Sequence, residues 1–381
     1  MKSLTTNIVE RNRDVEHIMH ASCQYGWHAG GKENAHKLFA MLVTTDVHGC
    51  GKQFDSAIEY LNYYEALDCG ICLGDMQPGD FAQENTWYVE GVKKSQKPFL
   101  TVVGNHDVGN STKAEISATP QMVFKRFFQP TLDKIGLEKL DKPYYLRLFE
   151  QYKIAVLVLN LYDIPDAKDA NGDYILHNGY EAFSQEQVDF IVSALNSVPN
   201  DYHLVIAMHN FPYQAKVVLG DWSQNWEQLF ASVESNDSNY YEGDLLPDLV
   251  DAWINGKSLN VEYAPKKEGV LPVLTVHCDF SKRGKGIFVG YFVGHHHCDC
   301  IATSAKYENQ TVICFPATAM DTWQNYGTDL ARAEGTKAED LLTVASVHTE
   351  KREIRLVRIG SNFTMNMKER TYNVLKYGEK L

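Results

Sequence analysis

Three histidines stand side by side at His295, His296 and His297, directly after an apolar run and just ahead of Cys298 and Cys300. Imidazole is the commonest metal ligand among side chains, so this stretch raises the question of a metal site. In an extended chain neighbours point to opposite faces and residues two apart share one. That would set His295 and His297 on one site and His296 elsewhere. A metal needs further nitrogen or oxygen partners, and four other places offer them. Asp46 and His48 follow "KLFAMLVTT", and Asp75 ends "CGICLGD". Asn105, His106 and Asp107 end "PFLTVVGNHD", and His209 and Asn210 end "HLVIAMHN".

The elements that would position these residues are short and apolar. Each cluster closes a continuous hydrophobic run of strand length, the pattern of strands covered on both faces. Between them lie helical patterns. Phe54, Ala57, Ile58 and Leu61 recur at i, i+3, i+4 and i+7. Ser184 with Gln187 three positions on reads as a capping box. Strands alternating with helices imply a layered α/β architecture, in which sites form beyond the carboxyl ends of the strands. All five clusters should then meet at one rim. Taken singly, each is as well explained by a turn or helix cap; five in series are not.

The totals narrow the classes. At 381 residues the chain is long enough for two or three domains, or one large one with insertions. Its net charge of -13 offers no basic field for a nucleic-acid backbone, which disfavours that partner. The first twenty residues lack the apolar core of a signal peptide, and no apolar run reaches the length of a membrane span. Eight cysteines are too sparse for a disulfide scaffold, so a cytoplasmic, reduced protein is expected. "CGIC" at 69–72 sits in a buried-strand pattern and reads as core.

Asp46-x-His48, Gly74-Asp75, Gly104-Asn105-His106-Asp107, His209 and Gly294-His295-x-His297 together resemble the calcineurin-like metallophosphoesterase superfamily, motif by motif and in order. The resemblance implies a four-layer αββα sandwich of two mixed β-sheets flanked by helices. It also implies two divalent metal ions, with Mn, Fe or Zn all compatible with mixed N/O ligation. Carried over by position, one metal resembles a site of Asp46, His48, Asp75 and His297. The other resembles a site of Asp75, Asn105, His209 and His295, with Asp75 bridging. His106 matches the family's substrate-facing histidine, His296 its variable position. The implied reaction is hydrolysis of a small phosphomonoester or phosphodiester by a metal-bridging hydroxide, with Asp75 and His106 as catalytic residues and Asn105 and His106 against the substrate.

Departures from the family limit the branch. "GDMQPGDF" lacks the Asp-Arg-Gly stretch of the protein Ser/Thr phosphatases. Pro78 stands where the purple acid phosphatases have a ligand tyrosine. The motif does not identify a carboxylate to orient His106.

Residues 1–36 read as an N-terminal helix and connector, 37–360 as the catalytic domain, and 361–381 as a tail. Within the domain, 211–275 reads as a cap-like insertion whose Trp222 and Trp226 would contact substrate, or alternatively as a surface subdomain with Tyr240 and Tyr241 in its small core. "HNGY" at 177–180 is a turn with a solvent-facing His177, and "MDTWQNYG" near 320–327 a rim loop. "TVICFPATA" and a hairpin around Thr349, Glu350 and Lys351 would complete the second sheet. The other readings weighed are a metal-dependent nuclease, which the acidic balance disfavours, and a non-catalytic interaction module, which the complete ligand set and His106 disfavour. Substrate and oligomeric state are left open by the sequence.

Overall fold

The apolar runs become strands buried along their length. β1 (Leu38–Thr44), β2 (Cys69–Cys72), β3 (Phe99–Thr101) and β6 (His203–Ala207) are covered at every residue, and β10 (Ile287–Val293) at all but its first. The computed structural model describes residues 7–13, 38–79, 81, 86–109, 117–164, 167–168, 170–174, 181–219, 239–297, 299–319, 332, 334–361 and 373–378.

Two mixed sheets result. The first runs β15-β14-β13-β1-β2-β3, with β13 (Leu341–His348), β14 (Glu353–Gly360) and β15 (Asn373–Lys376). In it β1, β2 and β3 are parallel. The second runs β4-β5-β6-β10-β12-β11-β7. Its members are β4 (Tyr145–Phe149), β5 (Ile154–Val158), β7 (Ala215–Leu219), β11 (Cys300–Ser304) and β12 (Thr311–Cys314), besides β6 and β10. There β5, β6, β10 and β12 are parallel.

The sheets face each other through apolar and polar contacts. Phe39 of β1 meets Phe149 of β4 at 4.6 Å between ring centroids. The Tyr145 hydroxyl of β4 accepts the Thr101 N–H of β3 at 3.0 Å. The helix Gly51–Tyr63 buries the expected stripe of Phe54, Ala57, Ile58 and Leu61, with Tyr60 added. Helices flank the paired sheets, giving the four-layer αββα sandwich. Ser184 caps the helix Gln185–Ser197 by accepting the Gln187 N–H at 3.1 Å. The Gln187 amide forms a two-way clamp with the Asn160 backbone, at 2.8 Å each way.

The late strands divide between the sheets, which corrects the expectation that both complete the second. β12 joins the second sheet beside β10, whereas the β13–β14 hairpin lies antiparallel to β1 in the first. Strand patterns carry no label for their sheet, and hairpin pairing is local while sheet membership is not. Within 361–381, β15 adds an edge strand to β14. Within 211–275, β7 edges the second sheet by pairing with β11. The helix Leu245–Asn255 buries Trp253, and β8 (Ser258–Tyr263) pairs with β9 (Leu274–Asp279) as a separate hairpin. Tyr240 and Tyr241 are buried. Trp222, Trp226, His177, Cys298 and residues 320–327 lie outside the described residues. "CGIC" is core: burial pushes the Cys72 thiol up to about 12.

Candidate metal centre

The parallel strands of both sheets end at one rim, and the chain turns sharply there. Asp46, His48, Asp75, His295 and His297 all have positive φ, between 45° and 63°. Left-handed backbone costs a non-glycine residue about 1–2 kcal/mol, and such strain concentrates at functional sites. It also corrects the expectation of an extended chain at 295–297. The chain leaves β10 at Gly294, and the His296 N–H turns back to the Gly294 carbonyl at 2.7 Å. His295 and His297 reach the rim through bends rather than through the pleat of a strand.

Two groups of side chains converge. Asp46, His48, Asp75 and His297 offer ligand atoms within 4.8 Å of one another, and so do Asp75, His209 and His295. Asn105 joins the second group, its Oδ1 lying 2.9 Å from His209 Nε2 and 3.1 Å from His295 Nδ1. In the first group His48 Nε2 is 3.1 Å from His297 Nε2, which is 3.2 Å from Asp46 Oδ1. His209 Nε2 is 3.3 Å from Asp75 Oδ2 and 3.2 Å from His295 Nδ1. Ligands about 2.1 Å from a cation lie roughly 3.0 Å apart when octahedral and about 3.4 Å apart when tetrahedral. The closest spacings, 2.9 to 3.3 Å, match those values, while His48 Nε2 stands farther off, 3.7 Å from Asp75 Oδ2 and 3.9 Å from Asp46 Oδ1.

The ligand atoms of Asp46, Asp75 and His209 are freed by what their neighbours hold. Asp46 Oδ2 accepts the Thr45 hydroxyl at 2.7 Å and the His295 N–H at 2.9 Å, leaving Oδ1 buried with no hydrogen-bond donor. Asp75 Oδ1 accepts the His106 N–H at 2.9 Å, while Oδ2 stands 3.7 Å from His48 and 3.3 Å from His209. His209 donates Nδ1–H to the Leu73 carbonyl at 2.8 Å, which turns Nε2 toward the site. A buried carboxylate oxygen with no well-formed hydrogen bond, 3.2 Å from the His297 imidazole and among other converging nitrogens, fits a cation.

The electrostatics agree. Burial opposes ionisation of Asp75, yet His209, His106 and His48 hold it well below the usual carboxylate range. Asp46 is lowered likewise, chiefly by His297 against the same burial. Burial outweighs the carboxylates at His48, which falls to about 4, and at His295, which falls well below its ordinary value. At His209 burial works downward but Asp75 and Asp46 win, raising it to about 10.

His106 stands apart from the converging groups. Its Nδ1–H donates to the Pro78 carbonyl at 3.0 Å, and Nε2 lies 3.8 Å from Asp75 Oδ2. Its side chain is 25% exposed against 2% for Asp75. The orienting group that the motif left open is therefore a backbone carbonyl.

Sequence reasoning gave Asp107 no role, although it stood in the motif. Its Oδ1 accepts the Met76 and Gln77 N–H groups at 2.8 and 3.2 Å, and its Oδ2 the Gly104 N–H at 2.8 Å. One carboxylate thus ties the Asp75 turn to the Asn105 turn. Gly104 is required by close approach, since a Cβ there would lie 2.2 Å from both Asp75 N and Oδ1.

A family model for the calcineurin-like phosphoesterases matches residues 39–256, which contain the strand ends from Asp46 to His209. The chain belongs to the calcineurin-like phosphoesterase family. Solved structures similar to this phosphoesterase include PhoD, at 9% identity over 90% of this chain and 72% of that one, with a TM-score of 0.43. The protein TT1561 of Thermus thermophilus is 8% identical over 89% and 99%, with a TM-score of 0.37. The phosphopantetheinyl hydrolase of Mycobacterium tuberculosis is 11% identical over 73% and 89%, with a TM-score of 0.36. Likenesses this distant carry no substrate across to the present phosphoesterase. No curated protein sequence matches it significantly. Among its described residues no helix is long and apolar enough to cross a membrane.

Proposed function

We propose that the protein is a dinuclear metal-dependent phosphoesterase acting on a small phosphomonoester or phosphodiester. The observation that carries this reading is Asp75, which belongs to both ligand groups; its Oδ2 lies 3.7 Å from His48 Nε2 and 3.3 Å from His209 Nε2, while its Oδ1 is held by the His106 N–H. A carboxylate so placed would serve two cations at once. Asp46, His48 and His297 would complete one position, and Asn105, His209 and His295 the other. Two divalent ions supply charge neutralisation at the phosphoryl oxygens and make water acidic enough to act near neutral pH.

The chain's own residues set the rest. Asp46 and Asp75 bring two negative charges against two divalent cations, so the loaded rim stays net positive and draws anions despite the acidic chain. His106, partly exposed and fixed through Pro78, presents Nε2 to a substrate at the rim. There it can donate a proton to the departing oxygen or stabilise charge on it.

The test is metal content together with hydrolysis of an aryl phosphate and its diester. Wild-type protein should hold two divalent metals per chain, Asp75→Asn should weaken both, and His48→Ala chiefly one. Full two-metal occupancy in Asp75→Ala would refute the assignment.

A further inference from the structure

Arg332 is buried, 7% exposed, and its donors meet backbone carbonyls. Nε donates to Ala338 at 3.3 Å, Nη1 to Ala317 at 3.5 Å and to Ala319, and Nη2 to Thr318 at 3.0 Å and to Glu339 at 2.5 Å. A guanidinium is a rigid fork of five N–H donors, and here it gathers two separate stretches of backbone. Burial lowers it only to about 10, so it stays a cation at neutral pH.

The stretch 317–319 is the one that touches the metal centre. The Thr318 N–H donates to the Thr45 carbonyl at 2.8 Å, and the Thr318 hydroxyl accepts the Thr45 N–H at 3.2 Å. The Ala319 N–H donates to the Asp46 carbonyl at 3.1 Å. Upstream, the Phe315 N–H donates to Val293 at the end of β10 at 2.8 Å. This segment therefore spans the ends of β1 and β10, and one side of it fixes Asp46. Asp46 has φ 49°, a conformation that persists only when surrounding structure over-determines it. Its N–H is held by the Gly74 carbonyl at 3.0 Å and its carbonyl by Ala319. The carbonyls of Ala317, Thr318 and Ala319 are the segment's other side, and Arg332 takes all three.

We infer that Arg332 is a positioning residue for the Asp46 metal position: by clamping 317–319 it holds Thr45 and Asp46 in the left-handed turn that aims Oδ1 at the cation. The inference rests on the dinuclear reading above. It predicts an asymmetry, because the backbone that Arg332 grips bonds directly to the Asp46 turn, makes no described contact with Asn105 or His209, and reaches the other position only at one remove, through the His295 N–H that donates to Asp46 Oδ2 at 2.9 Å.

The asymmetry is measured with the full chain and Mn²⁺ as probe, reading bound against free ion by electron paramagnetic resonance, without recourse to activity. His295→Ala leaves the position of Asp46, His48, Asp75 and His297; His297→Ala leaves the position of Asp75, Asn105, His209 and His295. Arg332→Ala is added to each. In the His295→Ala background Mn²⁺ affinity should fall about 10–100-fold, as for other groups that orient metal ligands. In the His297→Ala background the fall should be clearly smaller, because there Arg332 acts only indirectly, through the shared Asp75 and the His295 N–H bond to Asp46. Arg332→Lys keeps the charge without the fork and should show the same asymmetry at smaller size; it is read in both backgrounds if Arg332→Ala does not fold. Equal loss in both backgrounds, or loss in neither, overturns the inference. Failure of the wild-type chain to bind two Mn²⁺ overturns the dinuclear reading itself.

Discussion

Asp107→Asn changes one atom and should unsettle both metal positions. The carboxylate holds three buried N–H groups, two on Oδ1 and one on Oδ2. An amide has only one accepting oxygen. Placed on the Oδ1 side it keeps Met76 and Gln77 but sets its NH₂ against the Gly104 N–H; flipped, it strands the other two. A buried donor left unsatisfied costs about 1–3 kcal/mol. Burial and the nearby Asp75 charge raise Asp107 to about 8, so at neutral pH its bonds in the metal-free protein are those of a neutral acid, and stranding Gly104 should cost about 1–3 kcal/mol. The check is the urea midpoint of metal-free protein, with Mn²⁺ affinity measured alongside. Because Asp107 joins the turns carrying Asp75 and Asn105, affinity should fall as stability does. A stability within about 0.5 kcal/mol of wild type, the range of an ordinary surface change, with unaltered metal binding would refute this account of the site's framework.

Other outcomes follow from the same geometry. His106→Ala should keep both metals and lose about 10²–10⁴-fold in kcat on alkyl phosphoesters, whose leaving oxygen needs a proton, with a smaller loss on activated aryl esters; equal losses on both would make His106 a phosphate-positioning contact instead. His209, raised to about 10, carries a proton at neutral pH in the metal-free protein that a cation must displace. Metal binding should therefore release about one proton from it, and affinity should drop as pH falls below about 10, checked by calorimetry in buffers of different ionisation enthalpy; binding without proton release would contradict it. Gly104→Ala places a Cβ 2.2 Å from the Asp75 backbone and carboxylate, so it should lose metal even if it folds, as metal analysis would show. His296→Ala should retain metal and most activity, since its ring is not among the converging groups, and loss equal to that in His295→Ala would place it there.

Much of this protein was written locally. Buried strands announce themselves as unbroken apolar runs because both faces must be dry, and β1, β2, β3, β6 and β10 lie where "LFAMLVT", "CGIC", "FLT", "HLVIA" and "IFVGYFV" stand. Residue types at strand ends are equally local, so Asp46, His48, Asp75, Asn105, His209, His295 and His297 could be named before any fold was in hand. What the sequence could not carry was anything set by a partner far away in the chain. The turn at 295–297 looked extended, yet Gly294 lies against Thr45 and Asp46, so close that a Cβ would sit 1.9 Å from the Thr45 hydroxyl. That approach bends the chain and lets His295 and His297 converge. The β13–β14 hairpin was legible as a hairpin, but its place beside β1 depends on pairing across some three hundred residues. Asp107 and Arg332 show the same limit. Their side chains do their work on backbone N–H and carbonyl groups, which every residue carries alike, so no pattern of residue types marks the partners; only the folded chain brings them within hydrogen-bonding reach.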